Sequence, residues 1–332
     1  MEEGKEHTEE HKEEKEESKE EEKPREIKVE KEKKSILKTI RDFYDSQYKL
    51  LLIIPFVLLA FSLISIGLKY ASTGDFINRD VSLKGGITLT IITDGKIDIH
   101  DLENKLKAEF TKNDVDVRSL TKFGTQAGII VAVDIKENEL NSLLEEIEKI
   151  TKLELTEEKY TVEIVGSSLG ASFFKEVSIA LLIAFIFMGI VVFLYFRNFI
   201  PSIAVILAAF SDIIVTLTIV NFLNIKLSTA GIAAFLMLIG YSVDTDILLS
   251  TRVLKRKEGT VMERVFGAMK TGLTMTVTTL AAVTVALFFT QSEIIRQIMI
   301  ILLIGLFVDL VNTWLQNVGI LRLYLERKHK VK

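Results

Sequence analysis

Apolar residues gather into six long runs that are separated by polar segments. A helix that crosses the hydrocarbon core of a bilayer needs about 20 residues, because the core is about 30 Å thick and each residue adds about 1.5 Å. Six runs reach that length and predict six transmembrane helices, at residues 50–70, 177–196, 201–222, 228–250, 271–289 and 294–318. The first run follows a charged stretch, and the run has no small-residue cleavage site. We therefore interpret it as a permanent anchor and not as a signal peptide.

The segment between the first two runs has a different pattern. Alternating or short apolar stretches predict strands at residues 85–92, 114–123, 127–135 and 159–166, and helical periodicity predicts helices at 99–110 and 138–150. The order βαββαβ is that of a ferredoxin-like α+β domain. The sequence thus predicts an α-helical polytopic membrane protein with a ferredoxin-like external domain inserted between its first and second spans.

Composition narrows the chemistry further. The 332 residues are 48% hydrophobic and include four histidines and no cysteine. Disulfide scaffolds, thiolate metal sites and cysteine nucleophiles are therefore excluded, and a multi-histidine metal centre is not expected. The Gly-rich segments have neither a dinucleotide fingerprint nor the Lys-Ser/Thr of a phosphate-binding loop. We expect no metal, no cofactor, no nucleic-acid partner and no enzymatic activity.

Positive charge predicts the orientation in the membrane. Outside residues 1–34 and 74–166, a cytoplasmic N-terminus places fifteen Lys and Arg on the inner side of the membrane and only four on the outer side. This predicts a charged and disordered cytoplasmic tail over residues 1–49, a first span over 50–73, an extracellular domain over 74–170, spans two to six over 171–321 and a basic cytoplasmic tail over 322–332. Residues 1–34 are nearly all Glu and Lys, so disorder or a lone charge-paired helix is expected there.

Four aspartates lie inside the predicted spans, namely Asp212, Asp244, Asp246 and Asp309. A charge at the bilayer centre costs about 2.5–3.5 kcal/mol on insertion scales, so each acid is a candidate for function. Helical rise places Asp212, Asp244 and Asp309 about 12 to 19 Å from the cytoplasmic ends, within one layer. A desolvated carboxyl group favours its neutral form and can exchange a proton, which predicts a proton or ion relay. Structural hydrogen bonds between helices are the alternative.

Asp244 and Asp246 cannot both face the same partner, because residues two apart lie about 200° apart around a helix. Asp246 is nearer the cytoplasmic end, where it could snorkel or pair with Arg252 or Lys255. We therefore expect Asp244 to be the buried acid of the pair.

Other polar residues extend the layer. The sixth span carries a polar stripe at helical spacing, and the fifth span carries several threonines that we expect to face inward. Lys270, at the cytoplasmic mouth of the fifth span, is the candidate counter-charge. The polar stripe of the sixth span consists of Asp309, Asn312, Thr313, Gln316 and Asn317. The supporting residues are Ser242 and Thr245 in the fourth span, Thr274 and Thr278 in the fifth, and Asn312, Thr313 and Gln316 in the sixth.

Five segments also carry a family resemblance. They are KGGITLTI, VGSSLG, IGYSVDTDILLSTRVLKR, AMKTGLTMTVTTLAA and DLVNTWLQNVGILRLY, which begin at residues 84, 165, 239, 268 and 309. Together they resemble the archaeal branch of the SecF family of protein-export membrane proteins, over about residues 50–324.

This resemblance implies a six-span half of the resistance-nodulation-division transporter fold in the cell membrane. It implies pairing with SecD beside the SecY translocon and help in moving a translocating polypeptide, driven by an ion (proton) gradient through motion of the external domain. In the bacterial branch an acid stands at the position of Thr245 and an arginine near Lys270; here aspartates flank Thr245 instead.

Two other functions compete with protein export. A small-molecule or lipid transporter of the same superfamily is possible, although about ninety residues form a small external domain for a porter. An intramembrane aspartyl protease would need Tyr-Asp and Gly-x-Gly-Asp motifs, and the segments FSD and YSVDTD supply neither.

Overall fold

The computed structural model describes residues 39, 41–93, 95–122, 125–156, 158–256, 258–290 and 292–330. The chain divides into two units, residues 1–51 and 52–332, and the fold below belongs to the second. The prediction of a disordered or charge-paired tail over residues 1–34 lies outside the described residues.

Among the described residues, six helices are long and apolar enough to cross a membrane, as the sequence predicted. They are α1 (Tyr48–Thr73), α5 (Ser167–Phe196), α6 (Phe199–Phe222), α7 (Thr229–Lys255), α8 (Val261–Phe289), and a sixth made of α9 (Glu293–Val311), a π-helical turn (Asn312–Asn317) and α10 (Val318–Lys330). The protein is therefore an α-helical membrane protein.

Two of these helices begin about ten residues before the predicted spans, at Ser167 instead of residue 177 and at Val261 instead of residue 271. The reason is local, because backbone hydrogen bonding does not end where apolar side chains end. Thr260 and Glu263 form a capping box, in which the Thr260 hydroxyl accepts from the Glu263 N–H at 3.2 Å and the Glu263 carboxylate accepts from the Thr260 N–H at 3.0 Å. Such a box fixes the start of a helix.

Among its described residues, the inserted domain contains a four-stranded antiparallel sheet, two longer helices and one helix of a single turn. Its elements run in the order α2 (Val81–Lys84), β1 (Gly86–Ile92), α3 (Ile99–Glu109), β2 (Val115–Lys122), β3 (Thr125–Val133), a 3-10 turn (Glu137–Glu139), α4 (Leu140–Thr151) and β4 (Tyr160–Val165). The strand order is β2-β3-β1-β4, which confirms the predicted βαββαβ arrangement. Helices α3 and α4 cover one sheet face, where Leu89, Leu102, Val131, Leu143 and Ile147 are buried.

The domain begins and ends at one closely packed seam. Gly85 has φ +91°, and a Cβ there would lie 2.3 Å from the Cα of Ser167. A Cβ on Gly170 would lie 2.7 Å from the Gly85 backbone nitrogen. Gly85 in KGG and Gly170 in VGSSLG are thus conformationally required, because a side chain at either glycine would separate β1 from the first turn of α5.

A second attachment joins the domain to the loop between α6 and α7. The Leu227 N–H donates to the Asn78 carbonyl at 2.6 Å, and the Asp80 N–H donates to the Leu227 carbonyl at 2.8 Å. Asp114, which precedes β2, accepts from Lys226 at 2.7 Å and from Lys84 at 3.0 Å. The sheet domain is therefore fixed at the end of the helices where α6 ends and α7 begins.

Candidate functional site

A cluster of buried polar side chains lies where α6, α7 and the sixth span meet. It contains Asp212, Asp246 and Asp309, whose exposed fractions are 1%, 0% and 1%. We call it the acid cluster and include the side chains that bind these acids: Ser242, Asn312, Thr313 and Asn317. Every acid in it comes from a different span, so the cluster joins three helices through carboxyl groups.

Asp212 is bound from two helices. The Ser242 hydroxyl donates to its Oδ2 at 2.5 Å, and the Asn312 amide donates to its Oδ1 at 2.8 Å. Both donors are neutral and both are fully buried. Asp212 therefore connects α6 to α7 and to the π-helical turn.

Asp309 lies one turn before Thr313 and accepts from its hydroxyl at 3.0 Å. This bond lies within the sixth span, and Asp309 is close enough to Asp212 and Asp246 for its charge to act on both. Like charges at such a buried site oppose one another, so the cluster favours at least one neutral carboxyl group.

Asp246 accepts from the Asn317 amide at 2.7 Å through Oδ1. Among the described residues, no group hydrogen-bonds to its Oδ2, and the neighbouring Ser250 hydroxyl and Asn317 Oδ1 also lack partners. Asp246 is therefore the acid whose hydrogen-bonding capacity is least used.

The cluster contains no cation among the residues that the structure describes. Among the described residues, the three acids accept hydrogen bonds only from hydroxyl and amide groups. A buried carboxylate without a cation is costly, so the arrangement favours neutral carboxyl groups or a bound positive charge. Within the described part of the chain, no group of three or more His, Cys, Asp or Glu side chains is arranged to hold a metal ion.

The expectation for Asp244 and Asp246 was wrong. Asp246 is buried and Asp244 is exposed on the outer side of α7. The reason is helical phase, because Ser242, Asp246 and Ser250 follow one another at four-residue intervals on the buried face. That spacing is visible in the sequence, and it is a stronger signal than the nearness of Asp246 to the basic loop.

The supporting residues divide into two groups. Ser242, Asn312 and Thr313 belong to the acid cluster, Thr245 is buried and bonds the Tyr241 carbonyl at 3.3 Å, and Gln316 is fully buried. Lys270, Thr274 and Thr278 are exposed, and the two threonine hydroxyls bond carbonyls of their own helix. The prediction that they face inward, with Lys270 as counter-charge, was therefore wrong. The fifth span turns Gly272 and Thr276 to the interior instead.

Comparisons with known proteins agree with this architecture. The family described as protein export membrane protein SecD/SecF, C-terminal, matches residues 145–327. The chain is 39% identical over 284 residues to the protein-export membrane protein SecF of Methanocaldococcus jannaschii, covering 84% of this chain and 96% of that protein. It is 37% identical over 280 residues to the SecF of Pyrococcus furiosus, covering 84% and 92%.

A solved structure shares the fold. The crystal structure of SecDF from Thermus thermophilus, a translocon-associated membrane protein, superposes with a TM-score of 0.65 at 19% identity. The alignment covers 85% of this chain and 38% of the SecDF chain. At that identity, the likeness concerns the fold alone.

Proposed function

Because the chain belongs to the SecF family of protein-export membrane proteins, we propose that it is the accessory Sec subunit that couples a proton gradient to polypeptide translocation. The coupling element is the acid cluster. The proposed partners are a SecD subunit, the SecY translocon and the translocating polypeptide, in the cytoplasmic membrane.

The observation that carries the coupling proposal is the lack of any described cation beside three buried acids. Among the described residues, Asp212, Asp246 and Asp309 accept hydrogen bonds only from neutral donors. A desolvated carboxyl group without a counter-charge is stable when it is protonated, and losing the proton adds a charge that its surroundings must move to accommodate. Exchange of protons would thus change how α6, α7 and the sixth span fit together.

An exposed acid on α7 supports pairing with SecD. Helical rise puts Asp244 about 17 Å from the end of α7 at Lys255. Its side chain is exposed and is in no ion pair among the described residues. A charge exposed to lipid at that depth is costly, so a second membrane subunit that covers it is favoured. SecDF of Thermus thermophilus is a longer chain, of which this protein matches 38%.

The orientation proposed from the sequence fits this assignment. The sheet domain would lie outside the cell, and both termini would lie in the cytoplasm, where most of the Lys and Arg of the short loops then stand. The external domain would then meet the polypeptide as it leaves the translocon.

Neutral isosteres test the relay. We expect Asp212→Asn, Asp246→Asn and Asp309→Asn each to lower proton-driven export of a reporter protein at least tenfold, while SecD still copurifies. Asp244→Asn is expected to lower the recovery of SecD instead, because that side chain faces outward.

Ser211→Ala is the matched control. Ser211 is as buried as Asp212 and adjacent to it, but its hydroxyl bonds only the Leu207 carbonyl of its own helix at 2.8 Å. Export and assembly should both match the wild type. Wild-type export by all three cluster variants, with normal assembly, would contradict proton coupling and leave the acids as interhelical hydrogen bonds.

A further inference from the structure

The sixth span changes from α-helix to π-helix at the depth of the acid cluster. The π-helical turn covers Asn312–Asn317, and its five polar or aromatic side chains are all buried: Asn312, Thr313, Trp314, Gln316 and Asn317. Well under 1% of residues in globular proteins are π-helical, and single π turns often occur at functional sites. The turn therefore needs an explanation in terms of what it positions.

Its geometry lets one helix reach two acids. Asn312 donates to Asp212 at 2.8 Å, and Asn317, five residues later, donates to Asp246 at 2.7 Å. In an α-helix residues five apart point about 140° away from each other, so these two amides could not both serve the cluster. The i→i+5 bonding of a π turn brings them to one face.

Gln316 indicates how the turn would contact the acid cluster if its hydrogen bonds had α-helical register. It is fully buried, and among the described residues neither its Oε1 nor its Nε2 has a hydrogen-bond partner. A buried amide without partners costs about 1–3 kcal/mol, so it needs an explanation. Residues four apart share a face of an α-helix. If the turn took α-helical geometry, Gln316 would therefore lie on the same face as Asn312, in the place that Asn317 has in the π-helical turn.

We propose that Asn317 and Gln316 are alternative positioning residues for Asp246, exchanged when the turn passes between π and α register. Asn317 holds Asp246 in the π register, and Gln316 holds it in the α register. This inference rests on the proposed relay, because the proton on Asp246 is what biases the exchange. Protonation or deprotonation of Asp246 thereby changes the rotation of α10 relative to α9 about the helix axis.

The titratable surroundings of Asp246 are few. They are Asp212 on α6 and Asp309 on α9, while Asp244 on α7 points outward. The buried positions of α8 are Met262, Val265, Ala268, Gly272, Thr276 and Val283, and none titrates. On α10 the next charge is Arg322, which lies 3.9 Å from Glu326. A pH response of the turn would thus come from the acid cluster.

The turn carries its own probe. Trp314 is the only tryptophan in the chain, lies inside the π turn and is 4% exposed. Its ring packs against α8 so closely that a Cβ on Gly272 would lie 2.5 Å from the ring. A change of register moves this ring, so its fluorescence reports the turn directly.

The test measures Trp314 emission against pH for the full-length protein in lipid nanodiscs. We expect the wild-type emission maximum to shift with pH and Asp246→Asn to abolish the shift. Gln316→Leu removes the amide that has no partner in the π register, so it should leave thermal stability unchanged or higher and abolish the shift. Gln316→Met serves if the leucine variant fails to assemble.

Thr216→Val is the matched control, because Thr216 is also fully buried and its hydroxyl lacks a partner among the described residues. It should keep the wild-type shift. A pH-dependent shift that survives in Gln316→Leu, or no shift in the wild type, would overturn the exchange. The export assay on Asp246→Asn decides the relay separately: normal export by that variant contradicts the relay, whereas lost export by that variant together with no emission shift in the wild-type protein contradicts only the exchange.

Discussion

Asp114 beside the sheet domain and Asp246 between the helices are both held at 2.7 Å, but by opposite kinds of partner. Asp114 accepts from two lysines, and Asp246 accepts from an uncharged amide. Burial works to raise the pKa of Asp114, but the hydrogen bonds and charges of Lys226 and Lys84 outweigh it and hold that pKa below its ordinary value. An acid paired with cations stays ionised and fastens structure, whereas an acid without them is available for proton exchange.

The interiors of the two regions differ in the same way. The core of the sheet domain is apolar throughout, with residues such as Leu89 and Leu143 fully buried. The helical region buries three aspartates at comparable depth. In the helical region, side-chain donors bind these buried carboxyl groups. The difference between the two interiors can be tested by introducing an acid into the apolar core or by neutralising an acid that is present.

The largest expected effect comes from putting an acid in the apolar core. Leu89→Asp should destabilise the sheet domain by about 4 kcal/mol or more, because the strand offers no partner for a buried carboxyl group. Limited proteolysis of the full-length protein would show cleavage between residues 86 and 165. Ile92→Asp, at a position 61% exposed on the same strand, should leave the digestion pattern unchanged.

A smaller effect is expected at the two-lysine clamp. Asp114→Asn should lower the free energy of unfolding by at most about 1 kcal/mol at pH 7, because the Asp114 side chain is 38% exposed and solvent screens its ion pairs. Since the folded pKa is depressed, the contribution is present above the unfolded value of about 3.9 and is lost as the pH falls through the folded pKa. Thermal unfolding of both proteins from pH 7 to pH 3 measures this. A stability difference that grows as the pH falls would contradict the assignment.

The smallest change in stability is expected for neutralising Asp246, although the same change should abolish the coupling of proton exchange to export. Asp246→Asn should alter the free energy of unfolding by less than about 1 kcal/mol, because the new amide still offers an oxygen to Asn317 and a protonated acid loses no charge. Thermal unfolding at neutral pH checks this. A large destabilisation would mean that Asp246 works as an ionised structural group, like Asp114.

The sequence predicted the large features of this architecture because each has a strong periodic signal. Six apolar runs indicated six spans, and alternation indicated the strands whose order the sheet then follows. All three acids of the cluster were among the candidates. The relay itself stays a prediction.

Other features were missed for identifiable reasons. The helices α5 and α8 begin in polar sequence, where hydrophobicity does not indicate the start of a helix. For α8, the capping box of Thr260 and Glu263 is a sequence signal for that start. The choice between Asp244 and Asp246 depends on helical phase, and the four-residue spacing of Ser242, Asp246 and Ser250 is the signal that decides it. The π turn has no periodic signal, because one wide turn disappears in a 3.6-residue average.

The glycine seam has a mechanical consequence. The start of β1 and the first turn of α5 touch backbone to backbone at Gly85 and Ser167, with no side chain between them to yield. A displacement of the sheet is therefore transmitted directly to the second span, because the backbone contact between them is rigid. Force applied to the external domain acts on that helix in the membrane.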